Sequence, residues 1–304
     1  MFDFYDSKLI KREYECTGKI VLLNIVSSSD GIRIKGGDVQ NVHISYWECP
    51  GKHEYDLNES EGKVSLIRRN IKSILWGIHY LFLDTTIEVT VPVSFEGNIE
   101  LNCTSGKIEL SDINAENLSS HTTSGAFRAS DINLKNKAEI GNTSGSIKIN
   151  TFSAKDISAS TTSGSVNMNG VNAERGIKIH TGSGSIGISD SKVSNNIDLS
   201  DHSGIIKIER VVADGDLCAH NTSGGVHFNA IDIGGNIVLK STSGSIKGSI
   251  VGNENDYSIS SKTTSGINNL RDLNNSMSGR KMLDANTTSG SIKIVFENGI
   301  MNGI

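Results

Sequence analysis

Three imidazoles, those of His121, His180 and His220, each stand four residues before the glycine of a recurring Thr-Ser-Gly tripeptide. Imidazoles at one fixed offset are the first groups to test as metal ligands. The offset matters because the tripeptide returns at spacings of 19 to 24 residues, with glycines at Gly106, Gly125, Gly145, Gly164, Gly184, Gly204, Gly224, Gly244, Gly266 and Gly290. Two copies vary, as Gly182-Ser183-Gly184 and His202-Ser203-Gly204. If each period is one turn of a coil, equal offsets form a column with about 4.8 Å between turns. The three histidines then lie about 14 and 10 Å apart, whereas metal ligands converge on one ion at about 2 Å. His202, beside Asp201, narrows one gap without closing it. The histidines read as surface polar residues, and neither a metal nor an organic cofactor is expected.

Carboxyl groups give a similar answer. Cleaving a glycosidic bond needs clustered acids. The column six before each glycine holds Glu100, Glu139, Lys178, Asp198 and Asp284 with neutral residues between, and no acids fall on neighbouring turns of one column. The reading is therefore not an enzyme. The column three after each glycine runs Glu109, Arg128, Lys148, Asn167, Gly187, Lys207, His227, Lys247, Asn269, Lys293. Arg128, Lys148, Lys207, Lys247 and Lys293 make a broken cationic stripe, fit for an anionic polymer such as an envelope glycopolymer.

What positions these columns is the repeat itself. Two and four residues after the glycine sit apolar pairs such as Ile147/Ile149 and Ile206/Ile208, with polar residues between. Seven and five residues before it sit a second set, such as Ile177/Ile179 and Leu217/Ala219. Period-two alternation marks strands with one buried face. Between the strands lies a looser corner with an inward apolar residue, for example Phe152, Val171, Val211 or Ile231. A period of twenty leaves no room for crossover helices, so each strand must pair in parallel with its own copy one turn later. The expected fold is all-β: a right-handed parallel β-helix (β-solenoid) of about 20 residues and two strands per rung. Glycine in the turn is expected to supply a backbone conformation closed to other residues, with Ser and Thr hydroxyls bonding nearby amides. The Asn-x-Ser/Thr patterns at Asn142, Asn221 and Asn286 belong to the same turn chemistry. Calcium-binding nonapeptide rolls are excluded by the period and by the lack of a recurring Asp.

Residues 1–95 are less regular and read as irregular first rungs and a cap, and 96–304 as regular repeats of the same body. One apolar run, Ile74 to Leu83, is too short to span a bilayer. Its Trp76, Ile78, Tyr80 and Phe82 form a candidate partner patch. The strand Ser291 to Phe296 is expected to close the last rung with a free edge, and a homodimer through that edge or the Trp76 patch follows. With 32 Gly, 2 Pro and a net charge of −5, the composition suits a solenoid and excludes nucleic acid as a partner. Cys16, Cys49, Cys103 and Cys218 lack zinc-site or disulfide spacing. The first residues carry no basic stretch followed by an apolar core, which predicts a cytoplasmic chain.

The run Thr86–Leu110, with its strand ending in Val91-Pro92, Gly97 and the Ser-Gly turn, followed by tandem TTSGSIKI-type units, resembles the bacterial putative-adhesin family of β-strand-repeat proteins. The resemblance spans about residues 15 to 297. It implies a β-helix, a bacterial source, a link to cell-envelope stress or surface attachment, and no catalytic residues. The function expected is that of a non-catalytic structural or interaction module of adhesin type, associated with the cell envelope and partnered by a protein or an anionic envelope polymer. The alternative is a carbohydrate-binding or carbohydrate-cleaving β-helix.

Overall fold

The computed structural model describes residues 9–69, 85–270 and 281–297. Among these, all regular elements are strands except one 3-10 turn at Glu254–Asp256. The chain forms two compact units, Met1–Lys135 and Asn136–Ile304.

In the second unit the strands stack in parallel at the period of the sequence. Val166 pairs with Ile186, Ile186 with Ile206, Ile206 with Val226 and Val226 with Ile246. The following strands do the same, Ile177 with Ile197, Leu217 and Ile237 in turn. All of these side chains are buried. At about 1.5–3 kcal/mol for each large apolar side chain buried, such columns outweigh the cost of ordering the short turns between them. The unit is thus a β-solenoid of parallel stacked strands, as the repeat requires.

Two details of the rung were not legible in the repeat. Six residues after successive turn glycines, the backbone enters the left-handed region at Asp112, Asp131, Thr151, Gly170, Asp190, Arg210 and Ala230, with φ between 48° and 64°. That residue bends the strand at the corner, so the apolar residue after it, such as Phe152 or Val171, turns inward and is buried. Only one of the seven is glycine, which hid the position. The turn glycines themselves follow the opposite logic. None of Gly106, Gly125, Gly145, Gly164, Gly184, Gly204, Gly224, Gly244 and Gly290 has a positive φ. A Cβ on Gly204 would instead overlap the carbonyl oxygen of Gly184, and one on Gly224 that of Gly204. Close approach between rungs, and not a special conformation, demands glycine here.

Rungs do not follow chain order at the end of this unit. Lys281–Ser289 pairs with Ile237–Ser241 on one side and Tyr257–Ser265 on the other, while Ile292–Glu297 pairs with Ile246–Val251. The Gly290 rung therefore lies between the Gly244 and Gly266 rungs. This corrects the expected free edge at Ser291 to Phe296. Ile292 N donates to Ile267 O at 2.9 Å, Ile294 N to Asn269 Oδ1 at 2.9 Å, and Asn269 Nδ2 to Ile294 O at 2.8 Å. The reason is packing: Ile292 and Ile294 alternate well and are buried, whereas Ile267 is 66% exposed and its segment has no strand pattern. The stronger strand takes the inner place.

The first unit repeats this exchange. Leu22–Ser27 and Ile32–Gly37 form a rung flanked on one side by Asn98–Cys103 and Ile108–Ala115, and on the other by Lys63–Arg68 and Ile87–Pro92. Antiparallel strands complete it: His43–Glu48 joins Ile10–Glu15 to Ile87–Pro92, and Tyr55–Ser60 pairs with Lys63–Arg68.

Candidate functional site

The stripe three residues after the glycine divides between the units. In the first unit the column reads Glu88, Arg33, Glu109, Arg128 from rung to rung. Arg33 binds Glu88 at 3.0 Å and Glu109 at 3.3 Å. Lys107 and Arg33 hold the Glu109 carboxyl below the usual range, the hydrogen bond from Lys107 being the largest cause. Arg128 thus ends a column of alternating sign. In the second unit the column reads Lys148, Asn167, Gly187, Lys207, His227, Lys247, Lys293. The rung exchange takes Asn269 out from between Lys247 and Lys293 and sets Lys293 directly beside Lys247. From Lys207 to Lys293 there are four consecutive basic side chains. Lys207 pairs with Glu209 at 2.9 Å. Lys247 and Lys293 are exposed and meet no acid among the described residues. Burial, aided by Lys247, pushes the His227 imidazole down from its ordinary value. It is neutral at pH 7 and gains charge only on acidification. Lys148 stands three rungs from Lys207, across a shallow cavity of about 210 Å³ opened by Gly187.

Behind the turns runs a ladder that sequence reading placed two positions off, at the serine. The serine before each glycine faces outward in most turns. The bonding residue is the one three before the glycine, and it is buried at Thr161, Thr181, Asp201, Asn221, Ser241 and Thr287. Thr161 Oγ1 accepts from Gly164 N at 3.1 Å and donates to Gly145 O at 3.3 Å. Ser241 Oγ accepts from Gly244 N at 2.9 Å and donates to Gly224 O at 2.8 Å. Asp201 accepts from Thr181 Oγ1 at 2.6 Å, Ser203 N at 3.3 Å, Gly204 N at 2.7 Å and Asn221 Nδ2 at 3.2 Å. The variety of residue types at this offset concealed it.

A second buried carboxyl, that of Asp30, was also missed. It accepts from Tyr55, Thr85 and, at 2.9 Å, Arg68 Nη1, and lies 3.2 Å from His53 Nε2. Burial pushes the Tyr55 phenol far above its ordinary value and the His53 imidazole below it. The sequence signal was present: Ser27-Ser28-Ser29-Asp30 is a turn in which Asp stands where glycine is usual, and a Cβ on Gly106 would meet the Asp30 backbone.

The remaining candidates are separated or lie elsewhere. His180, Ser200 and His220 are registered on successive rungs, so two imidazoles stand two rungs apart. His121 belongs to the first unit. Among the described residues, no group of three or more His, Cys, Asp or Glu is placed to hold a metal. One acid reading needs correction: Asp112 and Asp131 do occupy neighbouring rungs, at the bent corner, because Ser111 pairs with Ser130 and Ile113 with Ile132. They stand six residues after the glycine, outside the strand columns that the apolar alternation marks. Both are exposed. The four cysteines are free thiols, and burial pushes that of Cys16 up to about 12. Trp76, Ile78, Tyr80 and Phe82 lie outside the described residues. No helix among the described residues is long and apolar enough to cross a membrane.

The repeat, the glycine ladder and the strand ending at Pro92 together are matched by one family model, Toastrack DUF4097, over residues 20–169 and again over 136–299. The chain belongs to the Toastrack family. Similar solved structures include a putative cell adhesion protein from Clostridium sporogenes (12% identity, 95% of this chain and 100% of that one, TM-score 0.35). Putative adhesins from Parabacteroides distasonis (12%, 95% and 98%, 0.43) and Parabacteroides merdae (12%, 95% and 97%, 0.42) are further such structures. No curated protein matches the chain.

Proposed function

We propose that this Toastrack chain is a non-catalytic, adhesin-like binding module of the cell envelope that holds an anionic envelope polymer along Lys207, His227, Lys247 and Lys293. The observation that carries the reading is the contrast at one offset from the glycine: alternating charge in the first unit, and in the second a run of basic residues uninterrupted from Lys207 to Lys293. Parallel rungs about 4.8 Å apart present the charges at a repeat that a polymer can follow. Each exposed charge contributes little alone, so a ligand spanning several rungs is favoured over a small anion. Poly(glycerol phosphate) immobilised on a sensor tests this. Saturable, salt-sensitive binding that is lost in Lys247→Glu/Lys293→Glu and kept in Arg128→Glu is expected. Equal binding by both variants, or none by the parent chain, rejects it.

A carbohydrate-binding reading is favoured by a different feature, a polar groove on another set of columns in the second unit.

A further inference from the structure

The groove has a volume of about 550 Å³ and lies wholly in the second unit. One wall is the column four before the glycine: His220, Lys240, Asn286 and Lys262 on consecutive rungs. The other is the column two before it, Thr222, Thr242, Thr288 and Thr264, all exposed. The exchange of rungs builds this surface, since it inserts Asn286 and Thr288 between residues that precede them in the chain. The floor is the buried ladder at Asp201, Asn221, Ser241 and Thr287. The bonds it makes to turn backbone groups and to neighbouring ladder side chains fix it as a rigid base.

We infer that this groove is a binding site for an acidic polysaccharide, a sugar chain carrying carboxylate or sulfate groups. Each rung offers one hydroxyl and one longer polar side chain every 4.8 Å or so, about the length of one sugar unit. Threonine hydroxyls both donate and accept, which matches the hydroxyls of a sugar, whereas a bare phosphate chain can use only the donor. Lys240 and Lys262 supply charge for the acid groups. Asn286, which lines the groove, donates to Asp284 through Nδ2. Two acids stand close: Asp201 on the floor, whose carboxylate already accepts from four donors, and Asp284, which accepts from Asn286. Among the described residues no Phe, Tyr or Trp lines the groove, so a neutral sugar finds no stacking platform there and the charged class is favoured. The site shares no residue with the Lys207–Lys293 column and does not depend on it.

Binding of the full chain to polygalacturonate, dextran sulfate, neutral dextran and polyphosphate decides the matter. The two acidic polysaccharides separate carboxylate from sulfate as the preferred group, and at least one should bind with saturation while neutral dextran does not. Lys240→Gln/Lys262→Gln should weaken that binding about fivefold per lysine. Thr242→Val/Thr288→Val keeps the shape and charge, and should weaken it about threefold per hydroxyl while weakening polyphosphate binding less. Unchanged melting temperatures in both variants tie any loss to the groove. The inference is overturned if neither acidic polysaccharide binds, if neither double variant weakens binding, if the threonine variant weakens polyphosphate equally, or if only Lys247→Glu/Lys293→Glu abolishes binding.

Discussion

Asp30 and Asp201 are both buried, at 2% and 3% exposure, one in each unit, and they are held in opposite ways. Asp201 sits within the repeat and takes four bonds from neutral groups: a threonine, an asparagine and two turn amides. Asp30 sits where the repeat fails. The strands outside it, Lys63–Arg68 and Ile87–Pro92, are joined by no Thr-Ser-Gly turn, so a side chain can stand where rungs elsewhere press glycine against glycine. Arg68 and Tyr55 fill that place. The same division separates the surfaces, where ion pairs tie Arg33, Glu88 and Glu109 in the first unit while Lys247 and Lys293 stand unpaired among the described residues of the second. Where the period is kept, neutral repeating bonds hold the buried carboxyl, and ion pairs such as Arg210 with Asp190 link rungs only at the exposed surface. Where it is broken, charge is used to hold rungs together.

Substitution sharpens this contrast first at the two aspartates. Asp30→Asn leaves Arg68 largely buried without its charge partner and should cost about 3 kcal/mol. Asp201→Asn replaces one acceptor among neutral donors and should cost about 1 kcal/mol. Urea denaturation followed by hydrogen exchange resolves each unit, and equal losses would erase the distinction.

The glycine ladder gives the next effect. Gly204→Ala places a methyl group against the Gly184 carbonyl and must push the two rungs away from each other, at about 2–3 kcal/mol. Gly18→Ala has open space around it and should be nearly silent in the same melting assay. A silent Gly204→Ala would show that the rungs separate freely.

Acid should act unevenly. His53 and His227 both have folded-state values below their ordinary one, so the unfolded chain takes up protons more readily as pH falls below about 6.5. Both units should soften there. Glu13, Glu54, Asp56, Glu59, Glu96 and Glu109 of the first unit are held low by hydrogen bonds and cations, against Asp190 in the second. Their stabilisation is present above about pH 4.3 and is lost as pH falls through their lowered values, so the first unit should decline faster below that point. Hydrogen exchange corrected for intrinsic rates at pH 7, 5 and 3.5 reads this directly, and a faster decline in the second unit would reverse the comparison.

The smallest effect is a gain. Thr151 is β-branched yet has φ of 48°, and Thr151→Gly should stabilise the second unit by about 1 kcal/mol, measured by thermal melting.

By itself the sequence determined that strands such as Ile147–Thr161 and Ile206–Ala213 stack in parallel columns, because a twenty-residue period with alternating apolar residues admits little else. It also determined the membership of most columns, Lys207, His227 and Lys247 included, since offsets from a repeated glycine are preserved from rung to rung. Which rung lies beside which was decided only in three dimensions. Lys293 meets Lys247, and Asn286 comes between Lys240 and Lys262, because the strand from Ile292 buries its apolar face better than the segment after Gly266 and so takes the inner position. The Asp30 cluster was likewise beyond local reading. Its partners His53, Tyr55, Arg68 and Thr85 come from segments without a period, and only burial against one carboxyl brings them together.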